Sequence, residues 1–172
     1  MCGIAGLIHR GKSSNVGTEL QLMLQALKHR GPDSTGYALY ADNDGQNFIM
    51  RFKVGENVAE GSSSANEDES VYDSRKKLVD KNLSALGATI VKEERLTPYS
   101  YRYEIKYDKD LMEFSKKIES VEMVEILSIG KSLELIKDLG DAITVSERYG
   151  LDKVQGTHGI GHARMATESG VD

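Results

Sequence analysis

The 172-residue chain contains a single cysteine, Cys2. A disulfide framework is therefore excluded and a reducing compartment is favoured. The sequence has no apolar run of about 18 residues and no secretory signal at its N-terminus, so we expect a cytoplasmic protein with no membrane partner. A net charge of −5 without a basic cluster argues against nucleic acid as a partner. Four histidines beside one cysteine give no metal spacing, and no metal or cofactor is expected.

The position of Cys2, directly behind the initiator methionine, permits two interpretations. If Met1 is trimmed, Cys2 carries a thiol and a free α-amine on neighbouring carbons. An α-amine titrates at about 7.7–8 and can activate the thiol without a histidine. Alternatively, Cys2 is a small buried hydrophobe that opens an apolar strand. Position alone leaves both interpretations open.

The first third of the chain predicts an α/β arrangement. Residues 3–9 read as a buried strand, and the capping box from Thr18 to Gln21 predicts a helix that ends before Gly31. Residues 42–45 predict a hairpin turn between strands 37–40 and 48–52. Residues 59–70 are low in complexity and predict a flexible loop, with a weak helix over 71–83.

A second compact α+β unit is predicted from about residue 85. Tyrosines alternate with polar residues over 99–107, which is typical of a half-buried strand, and residues 88–94 should pair with it as a hairpin. These tyrosines are expected in the core and on the sheet surface rather than as a stacking platform for bases. A helix over 110–120 and a strand over 121–129 should follow. Leu133, Ile136 and Leu139 predict one helix, and a second runs from the cap Asp141 to Gly150.

The last stretch, residues 156–169, is rich in glycine with His and Arg between. It has too few bulky residues for a core strand, and the spacing of a phosphate-binding loop is missing, so a nucleotide is not expected. A glycine-rich segment with cationic side chains can bind an anion.

Three separated segments together resemble one family. Residues 1–6 (MCGIAG), 27–36 (LKHRGPDSTG) and 161–167 (GHARMAT) are similar to the class II glutamine amidotransferase domain, one of the N-terminal-nucleophile hydrolases. The sequence of residues 163–169 (ARMATES) is most similar to glutamate synthase-like and N-methylglutamate synthase amidotransferase subunits. The resemblance implies an α+β fold, an αββα sandwich of two antiparallel sheets between helices. It also implies hydrolysis of glutamine to glutamate and ammonia, which is passed to a synthase partner subunit or domain.

Carried onto matching positions, the resemblance makes Cys2 the nucleophile and its amine the base. Arg164 would hold the glutamine α-carboxylate and Thr167 would line the pocket. Arg30 and Asp33, together with Gly3, would support the N-terminus rather than take part in the chemistry. His162 is interpreted as a structural histidine, because an α-amine already supplies the base.

Two departures from the family shape the predicted organisation. More than 100 residues separate Asp33 from Arg164, which predicts an inserted α+β lobe over 55–140 between amidotransferase parts at 1–54 and 141–172. The family's oxyanion donors, an Asn-Gly pair, have no match after Arg164. We therefore expect a fragment that is incomplete at its C-terminus and inactive as it stands. A non-catalytic regulatory or binding relative of the same fold is the alternative function.

Overall fold

A computed structural model describes residues 2–56 and 68–165. These residues form eight strands and four α-helices in the order β1 (Gly3–Ile8), α1 (Val16–Ala26), β2 (Ser34–Ala41), β3 (Phe48–Lys53), α2 (Glu69–Leu86), β4 (Thr89–Thr97), β5 (Ser100–Lys106), α3 (Leu111–Ile118), β6 (Glu125–Gly130), β7 (Leu133–Leu139), α4 (Ala142–Tyr149) and β8 (Gly156–Arg164). Short 3-10 turns lie at Lys28–Arg30 and Leu151–Lys153. The mixed α+β class is confirmed, and two antiparallel sheets with four helices are consistent with an αββα sandwich.

The described chain divides into two compact units. The first unit comprises residues up to 42 and from 132 onward, and the second unit comprises Asn43–Lys131. The sequence places the start of the inserted lobe at 55, whereas in the structure β3 already pairs with strands of the second unit. The predicted hairpin between β2 and β3 is wrong, because β2 pairs with β7 and β8 in the other sheet.

The first unit is a four-stranded antiparallel sheet in the order β1-β8-β2-β7, and α1 packs against one face of it. We call the face that packs against α1 the inner face and the opposite face the outer face. The prediction that residues 156–169 hold no core strand is wrong, since β8 is a central strand. A Cβ on Gly161 would lie 2.4 Å from Leu24 Cδ1 of α1. Because α1 comes this close, its leucines supply the bulk that β8 lacks.

The start of α1 differs from the prediction by one turn. The helix begins at Val16, and its cap is Asn15, whose side chain accepts a hydrogen bond from the Thr18 backbone N–H at 3.3 Å. The sequence pattern from Thr18 to Gln21 therefore lies inside the helix rather than at its start.

The predicted helix through Leu133, Ile136 and Leu139 is wrong, because these residues lie on β7. Spacing of three residues misleads here because the inner face of β7 carries buried charged side chains. Asp138 is 4% exposed and accepts hydrogen bonds from Arg148 of α4 at 3.0 Å and from the Tyr149 hydroxyl at 2.9 Å. A buried acid breaks the apolar alternation that marks a strand.

The prediction of α4 is confirmed. Its cap Asp141 accepts a hydrogen bond from the Thr144 backbone N–H at 2.9 Å, and Gly150 ends the helix in a left-handed conformation with φ +62°. Asp at the first cap and Gly at the second are the residues that these backbone positions prefer.

The second unit is a β-α-β-β-α-β chain whose sheet has the order β4-β5-β3-β6 with antiparallel neighbours. This is the strand order of ferredoxin-like domains. The β4–β5 hairpin and the helix after the predicted loop are confirmed. The tyrosine stripe is core as predicted, since Tyr101 and Tyr103 are buried against Phe52. Residues 59–67 of the expected flexible loop lie outside the described residues. Of the remaining three, Asp68 caps α2, and residues 69 and 70 are the first residues of that helix.

Candidate functional site

The N-terminus and the end of β8 meet in the first unit. Gly3 pairs with Ala163 across the β1–β8 ladder, and Arg164 pairs with Ser34 of β2. Cys2 directly precedes Gly3, so it stands at the same end of the ladder as Arg164. Because side chains alternate across a strand, Cys2 and Arg164 both belong to the outer face. Both residues are exposed, which disfavours the interpretation of Cys2 as a buried hydrophobe.

The second motif segment packs directly against the third. A Cβ on Gly31 would lie 2.5 Å from backbone atoms of Ala163 and Arg164, so only glycine fits at this contact. Two residues later, the Asp33 backbone N–H donates to the Arg164 carbonyl at 3.1 Å. The Gly140 N–H in turn donates to the Asp33 carbonyl at 2.9 Å. The backbone of Asp33 therefore connects the strand end that carries Arg164 to the residue that follows β7.

The same segment also supports the N-terminus. A Cβ on Gly3 would lie 3.1 Å from Leu27 Cβ and 3.6 Å from Arg30 Cβ. Gly3 thus lets the backbone beside Cys2 approach the turn at Lys28–Arg30. The structure brings together Cys2, Gly3, Arg30, Asp33 and Arg164 from three distant parts of the sequence. Thr167 lies outside the described residues.

An ion pair that the sequence did not reveal anchors this turn. Lys28 Nζ lies 2.7 Å from Asp141 Oδ2 at the start of α4. The Lys28 ammonium, together with the Thr144 backbone N–H, lowers the pKa of Asp141 to about 2. Asp141 was predictable as a helix cap, but its partner lies more than 100 residues earlier and no local pattern indicates it.

His162 was interpreted as a structural histidine. In the structure it is exposed on the outer face, two residues before Arg164 and paired with Ile4 and Gly36. It therefore lies one row inward from Cys2 and Arg164 on the same face. The alternation of buried and exposed residues along β8 would indicate this neighbourhood. The sequence pattern did not predict a strand there.

Within residues 2–56 and 68–165, groups of three or more His, Cys, Asp or Glu side chains that would hold a metal ion are absent. Among the helices described here, each is too short or too polar to cross a bilayer.

Comparison with known proteins identifies two relatives, while no protein-family model matches the chain. A protein of Methanothermobacter thermautotrophicus named "Putative glutamine amidotransferase" is 33% identical over 180 aligned positions, covering 100% of this chain and 54% of that protein. The "Glutamine amidotransferase-like protein GlxB" of Rhizobium meliloti is 28% identical over 178 positions, covering 99% of this chain and 52% of that protein. The chain thus spans about half the length of the curated relatives it matches. These similarities support a glutamine amidotransferase-like family.

Proposed function

We propose that the chain forms the glutaminase part of a class II glutamine amidotransferase, an N-terminal-nucleophile hydrolase of the cytoplasm. The observation that carries this proposal is the placement of Cys2 and Arg164 at one end of the β1–β8 ladder, on one face and both exposed. The names of the two relatives support the general part of the proposal, a glutamine amidotransferase.

In the proposed reaction, Cys2 Sγ attacks the side-chain amide carbon of glutamine. The α-amine of Cys2 accepts the thiol proton and delivers it to the departing nitrogen, so ammonia leaves and a γ-glutamyl thioester forms. Water, deprotonated by the same amine, then attacks the thioester carbon. Glutamate departs and the thiol regains its proton. Atoms and charges balance without a metal or a redox cofactor.

Arg164 serves in this proposal as the anchor of the amino-acid end. A guanidinium binds a carboxylate through two parallel hydrogen bonds, which fixes the orientation as well as the position of the substrate. When the amino-acid end is fixed in this way, the amide carbon lies against the sulfur. The backbone contacts of Gly31 and Asp33 to Arg164 support this role, because they set where the strand end lies. The ammonia would pass to a glutamate synthase-like or other synthase partner.

We further propose that Asn43–Lys131 is a lobe inserted at the tip of the β2–β7 hairpin. The Ala41 N–H donates to the Ser132 carbonyl at 2.9 Å, which closes the hairpin on the side of the first unit. On the other side, Asn43 Nδ2 donates to the Lys131 carbonyl at 3.2 Å. The two ends of the second unit therefore lie close together, as the ends of an inserted lobe must.

Glutaminase assays on the protein expressed from its complete gene test the function. Cys2→Ala should lower kcat at least about 1,000-fold, since nucleophile and base act as one unit. Arg164→Lys should raise the KM for glutamine about 10- to 100-fold, because an ammonium cannot reproduce the planar fork. Arg10→Lys, an exposed arginine of the same unit, is the matched control and should change neither constant. Comparable turnover by Cys2→Ala would end the mechanism. A wild-type protein that does not hydrolyse glutamine would favour the regulatory alternative.

A further inference from the structure

Strand register arranges the outer face of the first unit in rows. At the end that carries Cys2, the first row contains Arg164, Ser34 and Leu139, and the next row contains Ile4, His162, Gly36 and Lys137. Further from Cys2 the face carries Ile160 and Ile8, which are 52% and 71% exposed, with His158 and Tyr40 in the row of Ile8. The cationic side chains of Arg164 and Lys137 therefore lie at the Cys2 end of this face.

Gly36 leaves a hollow in the second row. A Cβ on Gly36 would meet, within 4 Å, only the Ile136 carbonyl oxygen at 3.7 Å. Glycines of the inner face behave differently, since a Cβ on Gly159 would lie 3.0 Å from Leu39 Cδ2 and one on Gly161 is blocked by Leu24. Packing therefore explains the inner-face glycines of β8 but not Gly36. Gly6 of the outer face also lacks a close contact, with the Gly159 carbonyl oxygen 3.4 Å away, but its neighbour in the register is Ile160 rather than a polar residue. Missing side-chain volume without a packing partner is typical of a place where a ligand approaches the backbone.

The hollow is flanked by cationic and donor groups. Gly36 pairs with His162 on one side and with Lys137 on the other, and both side chains are exposed. Arg164 stands two residues beyond His162 on the same face. Neighbouring strands are about 4.8 Å apart, so the long side chain of Lys137 can reach over Gly36 from its own strand. None of the described residues that the register assigns to these two rows is acidic, and such a setting selects an anion.

We propose that the hollow over Gly36 is the subsite for the carboxylate end of the glutamine substrate, with His162 as a positioning residue beside Arg164. The imidazole N–H donates to the carboxylate, and the Lys137 ammonium supplies the opposing charge. His162 acts on the amino-acid end of the substrate rather than on the sulfur of Cys2. This subsite rests on the proposed glutaminase function and specifies which surface recognises the substrate.

Steady-state kinetics with glutamine, on the protein from its complete gene, test the subsite. Gly36→Ala fills the hollow without a clash and should raise KM about tenfold while kcat stays within about threefold. His162→Ala should raise KM about tenfold, and His162→Gln, which retains an N–H donor, should recover part of that loss. The matched controls lie on the same face away from the hollow: Gly6→Ala and His158→Gln should leave KM unchanged. Hydrogen exchange of β8 peptides checks that each variant is folded.

Alkylation of Cys2 by iodoacetamide, which has no amino-acid end, separates the possible roles of His162. Rates equal to wild type in Gly36→Ala and His162→Ala support a role in substrate positioning. A slower rate in His162→Ala would place the histidine on the sulfur and overturn the proposal. If the wild-type protein hydrolyses glutamine but Gly36→Ala and His162→Ala have the same KM as the control variants, the subsite alone is overturned. A wild-type protein that does not hydrolyse glutamine would overturn the proposed function and the subsite together.

Discussion

The sheets of the two units are packed by opposite means. In the first unit, β8 meets α1 through glycines, and the helix approaches because side chains are missing at Gly159 and Gly161. In the second unit, bulky rings fill the core. The ring centroid of Phe52 lies 5.4 Å from that of Tyr101 and 5.0 Å from that of Tyr103. The sheet that carries the proposed site at its end is therefore positioned by close backbone contact, whereas the other sheet depends on side-chain volume.

The largest effect should follow from removing volume in the second unit. Phe52 is fully buried, and Phe52→Ala should destabilise that unit by about 3–5 kcal/mol through lost burial and a residual cavity. Hydrogen exchange followed by mass spectrometry should show lost protection in peptides of 43–131 and retained protection in β8. Loss of protection in β8 to the same extent would show that the two units unfold as one and would break the comparison.

Adding volume should damage the first unit. Gly31→Ala places a methyl group 2.5 Å from the backbone of Ala163 and Arg164, and overpacking of this kind costs about 1–3 kcal/mol. The strand end must shift, so the KM for glutamine should rise at least tenfold. Gly6→Ala is the matched control, because its Cβ would lie 3.4 Å from the Gly159 carbonyl oxygen, an ordinary contact. An unchanged KM in Gly31→Ala would show that this contact does not position Arg164.

The smallest effect concerns the ion pair between Lys28 and Asp141. Asn caps a helix as well as Asp does, so Asp141→Asn removes the charge and retains the cap. The pKa of Asp141 is lowered to about 2 in the folded protein by Lys28, so its stabilising effect is present above the unfolded pKa of about 3.9. That effect is lost as the pH falls from about 4 through 2. We expect a loss of about 1–2 kcal/mol at neutral pH.

Urea unfolding of the wild type and Asp141→Asn between pH 7 and pH 2 measures this loss. The difference between the two proteins should vanish at the acid end. Asp110→Asn, a cap variant of α3 in the second unit, should change stability little at any pH. A difference for Asp141→Asn that persists unchanged at pH 2 would show that the ion pair is not its cause.

Local chemistry made several elements predictable. The cap Asp141 and the terminator Gly150 set the bounds of α4 through residues that are neighbours in sequence. The alternation of tyrosines set β5 in the same way, and the turn before Tyr99 set its hairpin with β4. In each case the information lies within about ten residues of the element.

Long-range pairing hid the rest. β8 receives its apolar cover from leucines of α1, so its own composition does not resemble a core strand. β7 places Asp138 on the inner face, and the partners Arg148 and Tyr149 that make burial possible lie on α4. The motif residues of the candidate site could be found in the sequence. Their arrangement could not, because the pairing of Gly3 with Ala163 spans almost the whole chain.

Mass spectrometry of the protein from its complete gene, after exposure to the glutamine-like electrophile 6-diazo-5-oxo-L-norleucine, tests the central claim most directly. The claim is that a trimmed N-terminal Cys2 works with Arg164 at one end of the β1–β8 ladder. It predicts a chain without Met1 that carries one adduct on Cys2, formed more slowly when glutamine is present and in Arg164→Lys. A retained Met1, or an adduct rate that neither glutamine nor Arg164→Lys changes, would contradict it.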